Sequence, residues 1–122
     1  MAVPARRAKV TFATVRRVAC SFPGVEEGTS YGTPAFRVGK KFLARMREDG
    51  ETLVVKCGFD ERDFRMQADP DTFFTTDHYH GYPTVLVNLS RVSKTDLHDV
   101  LEQAWRRNAP RKLLASNRRT SP

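Results

Sequence analysis

A chain of 122 residues with a formal net charge of +7 is the size of one domain, long enough to bury a core without a metal or disulfide staple. No apolar run approaches the roughly 18 residues of a membrane helix, and Arg16 and Arg17 interrupt the N-terminal apolar stretch, so neither a membrane span nor an export signal is expected. The basic excess is terminal: residues 1–25 hold five basic residues and no acid, residues 103–122 hold six and no acid, and the body between holds ten basic and fourteen acidic residues, so net charge alone does not argue for nucleic acid.

In chain order, Thr11 is the expected N-cap of a first helix whose Phe12, Val15, Val18, Ala19 and Phe22 form one apolar stripe, ended by Pro23-Gly24. Residues 24–34, GVEEGTSYGTP, hold four turn-formers and read as a loop. Alternation then begins: Phe36 and Val38 face one way, Ala35 and Arg37 the other. After a Gly39-Lys40 turn, Phe42, Ala44 and Met46 alternate with Leu43, Arg45 and Arg47. The Asp-Gly of EDGE (48–51) signals a second hairpin, leading to Leu53, Val55 and Cys57 against Val54 and Lys56. This reads as a three-stranded antiparallel meander. Asp60 is expected to cap a helix through about Ala68, with a short strand near 73–76 and a further strand through Val85, Val87 and Leu89. Ser93 with Asp96 resembles a capping box. Leu97, Val100, Leu101, Ala104, Trp105 and Asn108 mark the inner face of the last long helix, and Pro110 starts a short one through Leu114.

The order specifies an α+β fold, an antiparallel β-sheet with helices packed on one face and the other face left open. The whole chain, 1–122, is one domain with a folded core at 10–115 and frayed ends at 1–9 and 116–122. Cys20 and Cys57 lack any C-x-x-C spacing or neighbouring His and are expected as free thiols, which fits a cytoplasmic protein.

Two stretches, FPGVEEGTSYGTPAFRVGKKFLARM and FFTTDHYHGYPTVLVNL, together with AWRRNAPRKLL, resemble the MmcQ/YjbR family, a domain of unknown function. The resemblance runs from about Thr11 to Ala115. It implies a fold like that of frataxin and of the "double wing" DNA-binding domain of a phage transcription factor, and many members are labelled DNA-binding on that similarity. Frataxins carry an acidic ridge on the first helix; residues 11–22 here hold Arg16 and Arg17 and no acid, which argues against iron delivery.

Two candidate surfaces follow. By alternation Arg37, Arg45, Arg47 and Lys56 share the face away from the core, with Lys40 and Lys41 at a hairpin tip, an arrangement suited to the phosphates of DNA. The bland alternative is an ordinary solvated face, supported by Leu43, Val54 and Leu86 on the same side. The second candidate is a cleft between the 28–34 and 77–83 loops, lined by Ser30, Tyr31, His78, Tyr79, His80 and Tyr82, for a small ligand or a protein. Such tyrosines also serve simply to pack a strand entrance. His78 and His80 would share one side of an extended segment, but a zinc site needs three or four ligands, and no further His/Cys cluster exists. No phosphate-binding P-loop or nucleophile elbow is present, and Ser30 has no identifiable base. The expectation is a non-enzymatic, monomeric domain without metal or cofactor, binding DNA mainly through phosphates, with the cleft as the alternative.

Overall fold

Described over residues 10–120, with side chains as far as Ala115, the computed structural model carries ten elements. They are α1 (Phe12–Ala19), β1 (Val25–Ser30), β2 (Thr33–Val38), β3 (Lys41–Met46), β4 (Thr52–Lys56), α2 (Phe59–Ala68), β5 (Phe73–Phe74), β6 (Thr84–Asn88), α3 (Lys94–Asn108) and α4 (Arg111–Thr120). The strands make one antiparallel sheet in the order β1-β2-β3-β4-β6-β5. The helices gather on one face, so the fold is α+β as the pattern implied.

The core lies between that face and the helices. Phe36, Val38, Ala44, Met46, Leu53, Val55, Cys57, Val85, Val87 and Leu89 from the sheet meet Val15 and Ala19 of α1 and the inner stripe of α3. All six residues expected on that stripe are buried. Trp105 is fully buried; its indole N–H donates to the Pro23 carbonyl at 2.9 Å, and its ring stacks on Phe22. That bond satisfies the one polar atom of the largest core side chain and ties α3 to the end of the first helical segment. Ser93 Oγ accepts the Asp96 N–H at 3.0 Å, the expected cap of α3. Burial pushes the Cys57 thiol up to about 12, in keeping with an inert core cysteine.

Four expectations need correction. The stretch read as a loop contains β1, and the meander has four strands. Ser30 pairs with Thr33, so only Tyr31 and Gly32 turn the chain. β1 is an edge strand whose middle residues are all exposed, so it shows no apolar alternation to read. Helix α2 is capped by Gly58, with Asp60 and Glu61 in its first turn, where acids face the positive end of the helix dipole. The 116–120 backbone, expected to fray, continues α4 to Thr120; residues 1–9 and 121–122 lie outside the described residues.

The fourth correction reshapes the open face. Arg37 pairs with Phe42, but Phe36 pairs with Ala44, leaving Leu43 as an extra residue in β3. A bulge reverses the alternation on one side of it. Leu43 therefore joins the core at 2% exposure, and Phe42, expected in the core, turns to the opposite face.

Candidate ligand pocket on the helix-free face

Among the described residues no helix covers the second face of the sheet, yet that face is not flat. Across the strands, Ala35, Arg45, Val54, Leu86 and Phe74 form one register row. Val54 and Leu86 in this row are 1% and 0% exposed. In the next row Arg37 pairs with Phe42, and Lys56, opposite the bulge, pairs with Thr84. Over these rows lies a concavity of about 750 Å³, within the range of small-molecule sites.

Its walls come from the two segments singled out in the sequence. The β1–β2 turn contributes Ser30 and Tyr31, and the segment between β5 and β6 contributes His78, Tyr79, Tyr82 and Pro83. The latter folds through consecutive turns: Tyr79 and His80 N–H donate to the Thr76 carbonyl, and Tyr82 N–H to that of Tyr79. His78 packs edge-on against Tyr79, with ring centroids 4.7 Å apart, and lies near Tyr82. His80, expected in the cleft, does not line it; its carbonyl instead accepts from Arg62.

Two buried arginines hold this segment. Arg45, 9% exposed, donates to Thr33 Oγ1 at 3.0 Å, the Met46 carbonyl at 3.1 Å and the Tyr79 hydroxyl at 2.9 Å. Its guanidinium also faces the Tyr31 ring, 5.3 Å from the centroid. Arg45 thus braces the β1–β2 turn against the 75–83 segment. From the helix side Arg62, 4% exposed, reaches under the segment and donates to the carbonyls of His80, Tyr82 and Thr84 at 3.0–3.2 Å. Charge-assisted bonds to three carbonyls fix a segment that has no regular structure of its own.

The six cations expected on one phosphate-binding surface therefore divide. Arg37 and Lys56 line the pocket, and among the described residues neither has a carboxylate within ion-pair distance. Arg45 is committed to the brace. Arg47 follows on the same face by alternation but outside the pocket. Lys40 is exposed in the β2–β3 turn at φ 71°. Lys41 pairs with core-facing Val38 and so projects toward the helix side. Glu48, at the far end of the pocket, is 3.9 Å from Arg45.

Sequence reasoning missed Phe42 and Arg62. The run Phe42-Leu43-Ala44 is apolar throughout, so either phase of alternation fitted it. Arg62 did leave a trace: spaced between Phe59 and Met66 at i+3 and i−4, it occupies a position of α2 where an inward apolar residue would be expected.

Comparisons with known proteins agree with this architecture. The model of the YjbR family matches residues 20–107. Uncharacterized proteins of Mycobacterium tuberculosis and Mycobacterium bovis are 32% identical over 65% of this chain and 75% of their own lengths. The crystal structure of a Deinococcus radiodurans protein with the domain DUF419 superposes with a TM-score of 0.67, at 22% identity, covering 80% of this chain and 77% of that one.

Proposed function

The chain belongs to the YjbR family, and we propose that it works as a binding domain, without catalytic chemistry of its own, whose ligand enters the pocket on the helix-free face. One observation carries this reading. Arg37 and Lys56, both without a carboxylate partner among the described residues, open into a cavity of about 750 Å³ walled by Tyr31, His78 and Tyr82. An ordinary solvated face would leave its cations on a flat surface. Here a bulge, a strained turn and two buried arginines shape a concavity around them.

A second reading is favoured by the openness of that face. Arg37, Arg47 and Lys56 share the helix-free side with exposed Tyr31 and Tyr82, and cations beside aromatic rings suit a nucleic-acid strand. On this reading Arg37, Arg47 and Lys56 contact phosphates, while Arg45 positions the walls instead of touching the strand.

Amide chemical shifts of the ¹⁵N-labelled chain test both. A library of small aromatic acids is expected to move resonances of residues 30–31, 37, 42, 54–56 and 78–84. Responses confined to the helix side, or none, would sink the pocket reading. Single-stranded and duplex DNA added in a salt series is expected to move Arg47 as well, with affinity falling steeply with salt, if the second reading holds. DNA that leaves these amides unmoved eliminates it.

A further inference from the structure

Tyr31 occupies a position that its side chain does not suit. Both residues of the β1–β2 turn have positive φ, 54° at Tyr31 and 79° at Gly32. Such two-residue turns favour Asn, Asp or Gly at the first position, because a bulky side chain crowds a left-handed backbone. Burial of the side chain would offset that strain, but Tyr31 is 85% exposed. Within the fold it gains the facing Arg45 guanidinium and little else. A strained, exposed aromatic residue at the rim of a pocket points toward a ligand-contacting role, and a ring backed by a cation offers its other face for stacking.

Deeper in, Phe42 on β3 lines the pocket together with Arg37, its partner on β2, and Lys56 on β4, the strand on the other side of β3. Adjacent strands lie about 4.8 Å apart, so the two cations start roughly 10 Å from one another and their side chains can converge on one anion. Beside Lys56, Thr84 is 9% exposed and lines the same pocket. Its hydroxyl oxygen is buried without a hydrogen-bond partner among the described residues.

Resting on the reading of this pocket as a ligand site, we propose that its ligand is a flat aromatic ring joined to one phosphate or carboxylate, with the ring stacked on Tyr31 and the anion held by Arg37 and Lys56. The cavity admits a molecule of mononucleotide or aromatic-acid size. The ring answers the exposed aromatic wall, and the anion answers two cations that have no carboxylate partner among the described residues, so neither part alone matches the site.

The test is calorimetric titration of the full chain with four probes. Adenosine monophosphate and indole-3-acetate combine a ring with an anion, adenosine supplies a ring alone, and ribose 5-phosphate an anion alone. At least one two-part probe is expected to bind ten-fold or more tightly than either single-part probe; which one binds assigns the anion as phosphate or carboxylate. A single-part probe binding as tightly as both two-part probes overturns the proposal. If none of the four binds while other small acids still move the pocket amides, this proposal falls and the broader pocket reading stands. If no small acid moves those amides, both fall. Variants sharpen the result. Tyr31→Asn suits the turn better and is expected to raise the melting temperature while weakening the tighter two-part probe about ten-fold. Unchanged affinity in that variant removes Tyr31 from the site. The double change R37Q/K56Q is expected to bring that probe down to the affinity of the ring alone, and an undiminished affinity overturns the assignment of the anion.

Discussion

On the helix side of the sheet, Leu53, Val55, Val85 and Val87 are dry because Leu97, Val100, Leu101 and Trp105 lie across them. On the other side Val54 and Leu86 are equally dry, yet the concavity over Val54 is walled by an irregular segment fixed by Arg45 and Arg62. The first face is held by apolar area, which is non-directional and tolerant of small shifts. The second is held by directed bonds from two guanidinium groups, which set positions but bury less. Closure by a few fixed bonds leaves a concavity, whereas closure by a packed helix leaves none. The proposed ligand site rests on this difference: a face filled with side chains has no room for a ligand, and a face closed by a braced segment does.

If the helix side is governed by area, its worst injury is an emptied site. Trp105→Ala is expected to cost about 3–5 kcal/mol, measured by urea denaturation. Loss of the indole bond to the Pro23 carbonyl places the effect toward the upper end. A cost below about 1 kcal/mol would mean that the helix layer does not carry the stability assigned to it.

If the open side is governed by directed bonds, removing a brace should loosen it locally. Arg62→Met keeps an apolar stem in α2 but withdraws the donors from the His80, Tyr82 and Thr84 carbonyls. The expected cost is about 2 kcal/mol, because the partly exposed carbonyls of His80 and Tyr82 can turn to water while the buried one of Thr84 cannot. Hydrogen exchange should quicken at residues 75–84 and stay slow in α3. Equal loss of protection in α3 would erase the distinction between the two faces.

The two faces were also unequally legible in the sequence. The helix-side partners were readable because a 3.6-residue stripe on α3 and a two-residue alternation on β4 and β6 each demand an apolar counterpart. The open face depended on features that periodicity does not encode. The Leu43 bulge hid inside a run where every residue was apolar. The strand β1 was hidden by its exposure at the sheet edge, and its turn by Tyr31 in a place where Asn or Gly is usual. The residues of DHYHGYP stand out as a group in the sequence, and a cleft between that segment and the Tyr31 turn is legible there, although His80 of the group does not line the pocket. What joined the two segments was Arg45, which alternation alone marked as a surface cation.

The smallest expected effect concerns the β3–β4 turn, where Asp49 acts on the turn itself. Asp49 Oδ1 accepts the Glu51 and Thr52 N–H groups at 2.8 and 3.0 Å, and Oδ2 accepts the Thr52 hydroxyl at 2.8 Å. Partial burial acts to raise the Asp49 carboxyl, but these bonds and nearby Arg47 outweigh it and hold the carboxyl below its ordinary value. A carboxylate depressed in the folded state contributes stability above its unfolded value, near pH 3.9, and loses it as the pH falls through the lower folded value. Asp49→Ala should therefore cost about 1 kcal/mol at pH 7, the exposed setting keeping the sum of three bonds small. Urea denaturation at pH 7 and again at pH 2.5 should show the gap between parent and variant narrowing in acid. A gap that stays constant would mean that Asp49 acts through the shape of the turn and not through its charge. A gap that widens would reverse the sign argued from its hydrogen bonds. At a fixed pH, Asp49→Ala should leave hydrogen exchange at residues 75–84 unchanged, since the turn braces the strands and not the segment that closes the pocket.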